Sequence, residues 1–416
     1  MQMRFRLSVM MFLEYFIWGA WYVTLGTWLG QQLHFSGEEI GLAAGTTALG
    51  AMLSPFLVGL MADELFANQR LLAALHGTGG VLLWVASTQK SFGPMYFILL
   101  VYSLCYMPTM ALTNALAFRQ MKDPKQDFGS IRVLGTAGWI VAGLLIGFLH
   151  VEPTAIPIGV VAPAASFVMA IYSLTLPHTP PLRSAHGFKL SNIFPAEAFN
   201  LFKDRNFSVF ALASFLICIP LQFYYTFTNP FLNEIGVQNA AGKMTMGQMS
   251  ELLFMVTLPW FFRRLGVKYT LMLGMFAWVL RYISFGTGNS GSLIWLLYLG
   301  IVLHGICYDF FFVTGQVYVD QKAPQALRAA AQGLITFITY GIGMFIGSWI
   351  CGRIVDLYAK SSPTGAVLHD WRSIWVVPAI ASAVVLVFFW AGFRNEDRAA
   401  DQPLPKAGAV PRALSQ

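Results

Sequence analysis

Residues 7–30 read LSVMMFLEYFIWGAWYVTLGTWLG, and this stretch points to a chain that lives in a membrane. A helix needs about 20 apolar residues to cross the hydrocarbon core of a bilayer. This run satisfies that need with one charged residue, Glu14, inside it. Trp18 and Trp21 follow Glu14 at i+4 and i+7, so one helical face carries a carboxyl and two indoles. Arg4 and Arg6 precede the run, which is too long for a signal-peptide core and lacks a convincing cleavage site. We read it as a retained first span.

The rest of the chain repeats the theme. Of 416 residues, 56% are hydrophobic and only 11% charged, against about 25% charged in a soluble domain. Working outward from the first run, spans of roughly 20 residues fall near 5–31, 39–61, 71–88, 94–118, 129–149, 155–176, 207–232, 244–262, 268–286, 291–316, 329–355 and 372–393. Lys and Arg gather in alternate breaks. Arg4, Arg6, Arg70, Arg119, Lys122, Lys125, Arg183, Lys189, Lys203 and Arg205 lie on the side of the N-terminus, as do Arg263, Arg264, Lys268, Lys322, Arg328 and Arg394. The opposite side holds Lys90, Lys243, Lys360 and Arg372. By the positive-inside rule both termini are cytoplasmic.

The break from Leu176 to Asn206, with Pro177, Pro180 and Pro181, divides six spans from six. The reading is therefore an all-α membrane protein with twelve transmembrane helices in two six-helix bundles, 1–176 and 207–394. A cytoplasmic central loop, 177–206, joins them, and a Pro/Ala-rich tail, 395–416, is expected to be disordered. The halves echo each other: Cys105-Tyr106 precedes Asn114 as Cys307-Tyr308 precedes Gln316, as in transporters built from related halves. Gly59-x-x-x-Asp63 resembles the start of the major facilitator loop signature, although Glu64 replaces the usual arginine. Cys105, Cys218, Cys307 and Cys351 sit in apolar runs without metal-ligand spacing and read as packing residues. No phosphate-binding loop, zinc-protease or serine-hydrolase motif is present, which argues against an ATP-driven pump and against an enzyme. The net charge of +7 has no accompanying nucleic-acid signature. No cofactor, metal or nucleic acid is expected as partner.

Ionisable and amide side chains within spans carry the functional reading, because a charge at mid-bilayer is costly unless paired or wet. Arg132 opens the fifth span, with Thr136 and Trp139 on its face. Gln222 and Tyr225 lie three apart in the seventh, Gln248 and Glu251 three apart in the eighth, and His304, Tyr308 and Asp309 in the tenth. Each has a plainer alternative. Arg132 fits a residue snorkelling to lipid phosphates, Glu251 a structural ion pair, Glu14 a helix-packing hydrogen bonder, and His304 a packing histidine. Arg281 and Arg353 read as structural or interfacial. Taken together, the set describes a polar, mixed-charge site between the halves. Amides present donors and acceptors to a base edge or sugar hydroxyls, and the rings of Trp139, Tyr225 and Tyr308 stack on a planar ligand. A carboxyl withdrawn from water can exchange a proton, which makes Asp309, Glu251 and Glu14 the proton-coupling candidates.

Several of these segments are similar to nucleoside:proton symporters of the major facilitator superfamily. They are Phe16-Ile17-Trp18-Gly19-Ala20-Trp21, Tyr106-Met107-Pro108-Thr109, Ile131-Arg132-Val133-Leu134-Gly135-Thr136, Leu176-Pro177-His178, Tyr308-Asp309-Phe310 and Ala331-Gln332-Gly333. The resemblance spans essentially the whole chain. It implies alternating access, uptake of nucleosides with protons across a bacterial inner membrane, and a substrate site on Arg132, Thr136, Trp139, Gln222, Gln248, Glu251 and Asp309. Three positions depart from the family pattern: Tyr225 replaces an amide, His304 an aromatic, and Glu14 a neutral amide. A nucleoside-like substrate, protons, a surrounding bilayer and a monomer are the expected partners and state. The competing readings are a proton-coupled carrier of a sugar or other polar metabolite, and a membrane sensor without net transport.

Overall fold

The computed structural model describes residues 2–61, 66–121, 124–181, 195–361 and 367–395. Ten helical segments in it are long and apolar enough to cross a membrane. One of them, Ala240–Thr287, is two helices that meet at Gly266 and supply the eighth and ninth expected spans. It changes direction at Gly266, whose φ of 71° side-chain-bearing residues rarely adopt. Asn68–Ser87, in the place of the third expected span, is a further 20-residue helix with a less apolar composition. The first expected span is two helices, Gln2–Trp21 and Leu25–Leu33, joined by a short turn.

Helix starts follow their local chemistry. Ser36 and Glu39 form a capping box at Gly37–Leu60, Asp204 caps Arg205–Glu234, Asn239 caps Ala240–Thr287 and Asp370 caps Trp371–Gly392. Each gives an oxygen to an amide that the helix cannot satisfy internally. Pro55, Pro108, Pro220, Pro230, Pro259 and Pro378 lie inside helices, which helices in a bilayer accommodate with help from their neighbours. The surface confirms which solvent the helices meet. On Trp371–Gly392, Val376, Ile380, Val384 and Val387 are exposed while Ile374, Trp375 and Phe389 are buried. An outward face this apolar is stable against hydrocarbon, not water.

The helices before residue 181 pack mainly on one another: Gln2–Trp21 on Pro124–Phe148, Gly37–Leu60 on Phe92–Gln120, and Asn68–Ser87 on Ala162–Thr175. Those after 195 do likewise, with Ala240–Thr287 against Ile294–Cys307 and Trp371–Gly392, and Arg205–Glu234 against Met344–Leu357. The two groups meet where Gly37–Leu60 faces Met344–Leu357 and where Pro124–Phe148 faces Ala240–Thr287.

Two features lie outside a purely helical reading. Ala359–Ser361 and Val367–His369 pair as a short antiparallel ladder, and Ala196–Lys203 in the central break is a 3-10 helix. Both sit between spans, where water satisfies any backbone group the local structure leaves free. Gly59 ends the Gly37–Leu60 helix, whereas Asp63 and Glu64, much of the central loop and the tail beyond 395 lie outside the described residues.

Candidate functional site

Pro124–Phe148 brings Arg132, Thr136 and Trp139 to one face, each half-buried. The Arg132 guanidinium lies 4.0 Å over the Tyr15 ring, a cation–π contact that holds its charge inside the first group of helices rather than at a lipid headgroup. Trp139 stands edge-on to Trp18 at 5.3 Å. Its ring reaches a crevice between the halves, lined from the other side by Tyr224, Tyr225, Met244, Thr245 and Gln248. At this point the crevice leaves ≈ 20 Å³, space for roughly one water molecule. The sequence led us to expect a wetter site; here the halves stand close, and a planar ligand between Trp139 and Tyr225 requires them to part.

Gln222 is buried at 1% exposure. It accepts a long hydrogen bond, 3.5 Å, from the Thr226 hydroxyl. Glu251 follows Gln248 by one helical turn and turns to His304, whose Nε2 lies 2.9 Å from the carboxylate. His304 is held in turn by a stacked Tyr224 ring at 4.9 Å and an edge-on Tyr225 ring at 5.8 Å. The close approach of the two helices fixes this pair, since the Gly305 amide donates to the Ser250 hydroxyl across them at 3.0 Å. Glu251 therefore has an ionisable partner, but it is the histidine and not an arginine.

Tyr308 and Asp309 open a π-helical turn, Tyr308–Val313, a distortion often found at functional positions. The Tyr308 hydroxyl accepts from that of Tyr340 at 3.3 Å. Asp309 is fully buried, and its carboxyl oxygens accept no hydrogen bond from the described residues.

Glu14 belongs to a separate cluster inside the first group of helices. One carboxylate oxygen lies 3.0 Å from His76 Nε2, and the other accepts from the Thr109 hydroxyl at 2.6 Å. The Tyr106 hydroxyl donates to the Glu14 carbonyl. Glu14 and His76 are both buried. Tyr106 and Trp18 are in ring contact, as are Trp18 and Trp139, so this cluster is one layer of aromatic side chains behind the crevice wall.

Sequence reasoning missed His76 altogether and missed the contacts of two residues it named, His304 and Arg281. His76 was a lone histidine in an apolar run, and its signal lay in the matching lone Glu14. His304 read as packing, yet it is the partner of Glu251. Arg281 is fully buried with its guanidinium 4.0 Å over the Tyr224 ring, so it adds positive charge behind the crevice; a single arginine within a span was its only trace.

Residues 1–398 match the family model described as nucleoside H+ symporter. The chain is 42% identical over 402 residues to the Escherichia coli protein YegT, covering 94% of each. It is 32% identical over 413 residues to the xanthosine permease of Escherichia coli, covering 95% of this chain and 97% of that one. A crystal structure of the nucleoside transporter NupG matches with a TM-score of 0.87 at 30% identity, covering 95% of this chain and all of that one. The helices, the inter-half crevice and these likenesses converge on one assignment: the chain belongs to the nucleoside H+ symporter family, and is a transporter of the major facilitator fold rather than an enzyme.

Proposed function

We propose that this protein imports a nucleoside together with protons across a bacterial inner membrane, by alternating exposure of one site between two six-helix bundles, 1–176 and 207–394. In this reading the chain crosses the bilayer twelve times, acts as a monomer and keeps both termini in the cytoplasm. The observation that carries it is the crevice, where Trp139 from one half faces Tyr225 and Gln248 from the other. A nucleobase stacks between such rings, and the amides of Gln248 and Gln222 read its edge. Glu251 accepts ribose hydroxyls through the oxygen that His304 leaves free, and Arg132 and Thr136 bind from the opposite wall. Tyr308, in ring contact with His304, is assigned to substrate as well. Of the acids, Asp309 is assigned the transported proton. Glu251 is assigned to substrate, and Glu14 is the reserve candidate.

Purified protein in proteoliposomes tests this. Labelled adenosine or uridine should accumulate under an inward proton gradient, and a protonophore should abolish the accumulation. Uptake that needs sodium and ignores the protonophore overturns proton coupling. Competition by mono- or disaccharides but not by nucleosides overturns the substrate class.

A further inference from the structure

The two halves exchange helix caps at the end of the molecule opposite the termini. Glu152, in the loop after Pro124–Phe148, is buried at 3% exposure. One of its carboxylate oxygens accepts from three donors of the other half: Asn229 Nδ2 at 2.8 Å, Asn233 Nδ2 at 3.0 Å and the Ala241 amide at 3.0 Å. Asp356, in the last turn of Met344–Leu357, does the reverse. Its two oxygens accept from the Gly37 amide at 2.6 Å and the Glu38 amide at 2.8 Å.

The correspondence is close. Glu152 lies just after one helix and Asp356 in the last turn of another, and each of these helices packs against the very helix whose start the acid caps. Both capped helices also have a cap of their own, Ser36 binding the Glu39 amide and Asn239 binding the Gly242 amide. The native caps take the third amide of each helix, and the acids from the opposite half take first-turn amides that remain. Those amides have no partner within their own helix, and the positive end of the helix dipole favours a carboxylate there. Backbone contact accompanies the bonds: a Cβ on Gly41 would strike the Ser348 carbonyl.

We propose that Glu152 and Asp356 are the positioning residues that hold this end of the transport pathway shut, as a pair of reciprocal caps. The inference rests on the alternating-access reading above. The chemistry suits a reversible closure. Charge-assisted bonds to amides are stronger than neutral ones, yet when the halves part, water at the mouth takes over both the amides and the carboxylates. The closed state is thereby favoured without being locked.

The test measures distance rather than transport. Spin labels at His34→Cys with Tyr358→Cys, and at Leu149→Cys with Gln238→Cys, report separation of the halves beside each cap; all four positions are exposed. Glu152→Gln and Asp356→Asn, made in these labelled proteins in lipid, should each raise the ratio of long to short distances roughly tenfold, and the double variant more. Asn233→Ala removes a donor from the opposite half, needs no change to either acid, and should shift the Leu149–Gln238 pair in the same direction. Unchanged distributions in the double variant and in Asn233→Ala overturn the proposal. Nucleoside uptake by the labelled parent is read in parallel. A parent that does not transport, with variants that still open, removes the functional reading and leaves the caps standing.

Discussion

Gln248 and Gln222 are the residues whose role in recognition is most directly exposed to test. Gln248 lines the crevice and Gln222 is buried behind it. In the recognition proposed above, truncating either amide leaves a base edge without its partner, at a cost of roughly 1–3 kcal/mol. Gln248→Ala and Gln222→Ala should therefore weaken nucleoside binding to purified protein by that amount each in calorimetry, with little change in expression or melting temperature. Unaltered affinity in both variants removes these helices from the site. The residue types stood out in the sequence because a polar or ionisable side chain within a span is costly unless paired or wet. Their partners did not. Glu251 turns to His304, and Glu14 to His76, through packing between spans that sequence spacing does not encode. Both partners are histidines, the residues most easily dismissed as filler in an apolar run.

Among the elements, the helix starts were written locally and the π-helical turns were not. Asp204 illustrates the first. It caps Arg205–Glu234 through the Phe207 amide at 2.9 Å and pairs with Lys322 at 3.1 Å. Burial pushes its carboxyl up, but the Phe207 amide and the Lys322 ammonium outweigh burial and hold it below its ordinary 3.8. A carboxyl lowered on folding contributes stability above its unfolded value and loses that contribution as pH falls through the folded one. Asp204→Ala should thus cost about 1 kcal/mol at neutral pH, seen as a lower melting temperature in detergent. The gap to the parent protein should close as pH drops below 3.8. A gap of the same size at neutral and acidic pH would show that neither the cap nor the ion pair is at work. The break at Gly266 falls between the eighth and ninth expected spans, whereas the π-helical turn at Tyr308–Val313 had no such local signature. A glycine between two apolar runs reads as a loop, and a π turn follows from how neighbouring helices crowd it.

For the molecule as a whole, proton-coupled transport requires that proton and substrate occupy linked but distinct groups, and the two candidate acids of the second half, Glu251 and Asp309, differ in the way this needs. Glu251 is partly exposed at 20%, one turn from Gln248, and bonded to His304. Asp309 is enclosed and accepts no hydrogen bond from the described residues. A carboxylate is costly while unpaired in an apolar enclosure, so the proposed role of Asp309 is to take up a proton when enclosed and release it when the alternating site opens it to water. Because no donor is bonded to Asp309, asparagine at this position breaks no structural bond. Asp309→Asn should therefore bind nucleoside and exchange internal for external label in proteoliposomes, while net accumulation under a proton gradient disappears. Glu251→Gln should instead weaken binding at every pH, because it alters the group assigned above to substrate. If Asp309→Asn still concentrates nucleoside against its gradient, the proton travels elsewhere. The Glu14–His76 pair, enclosed one aromatic layer behind Trp139, then becomes the site to examine together with Glu251.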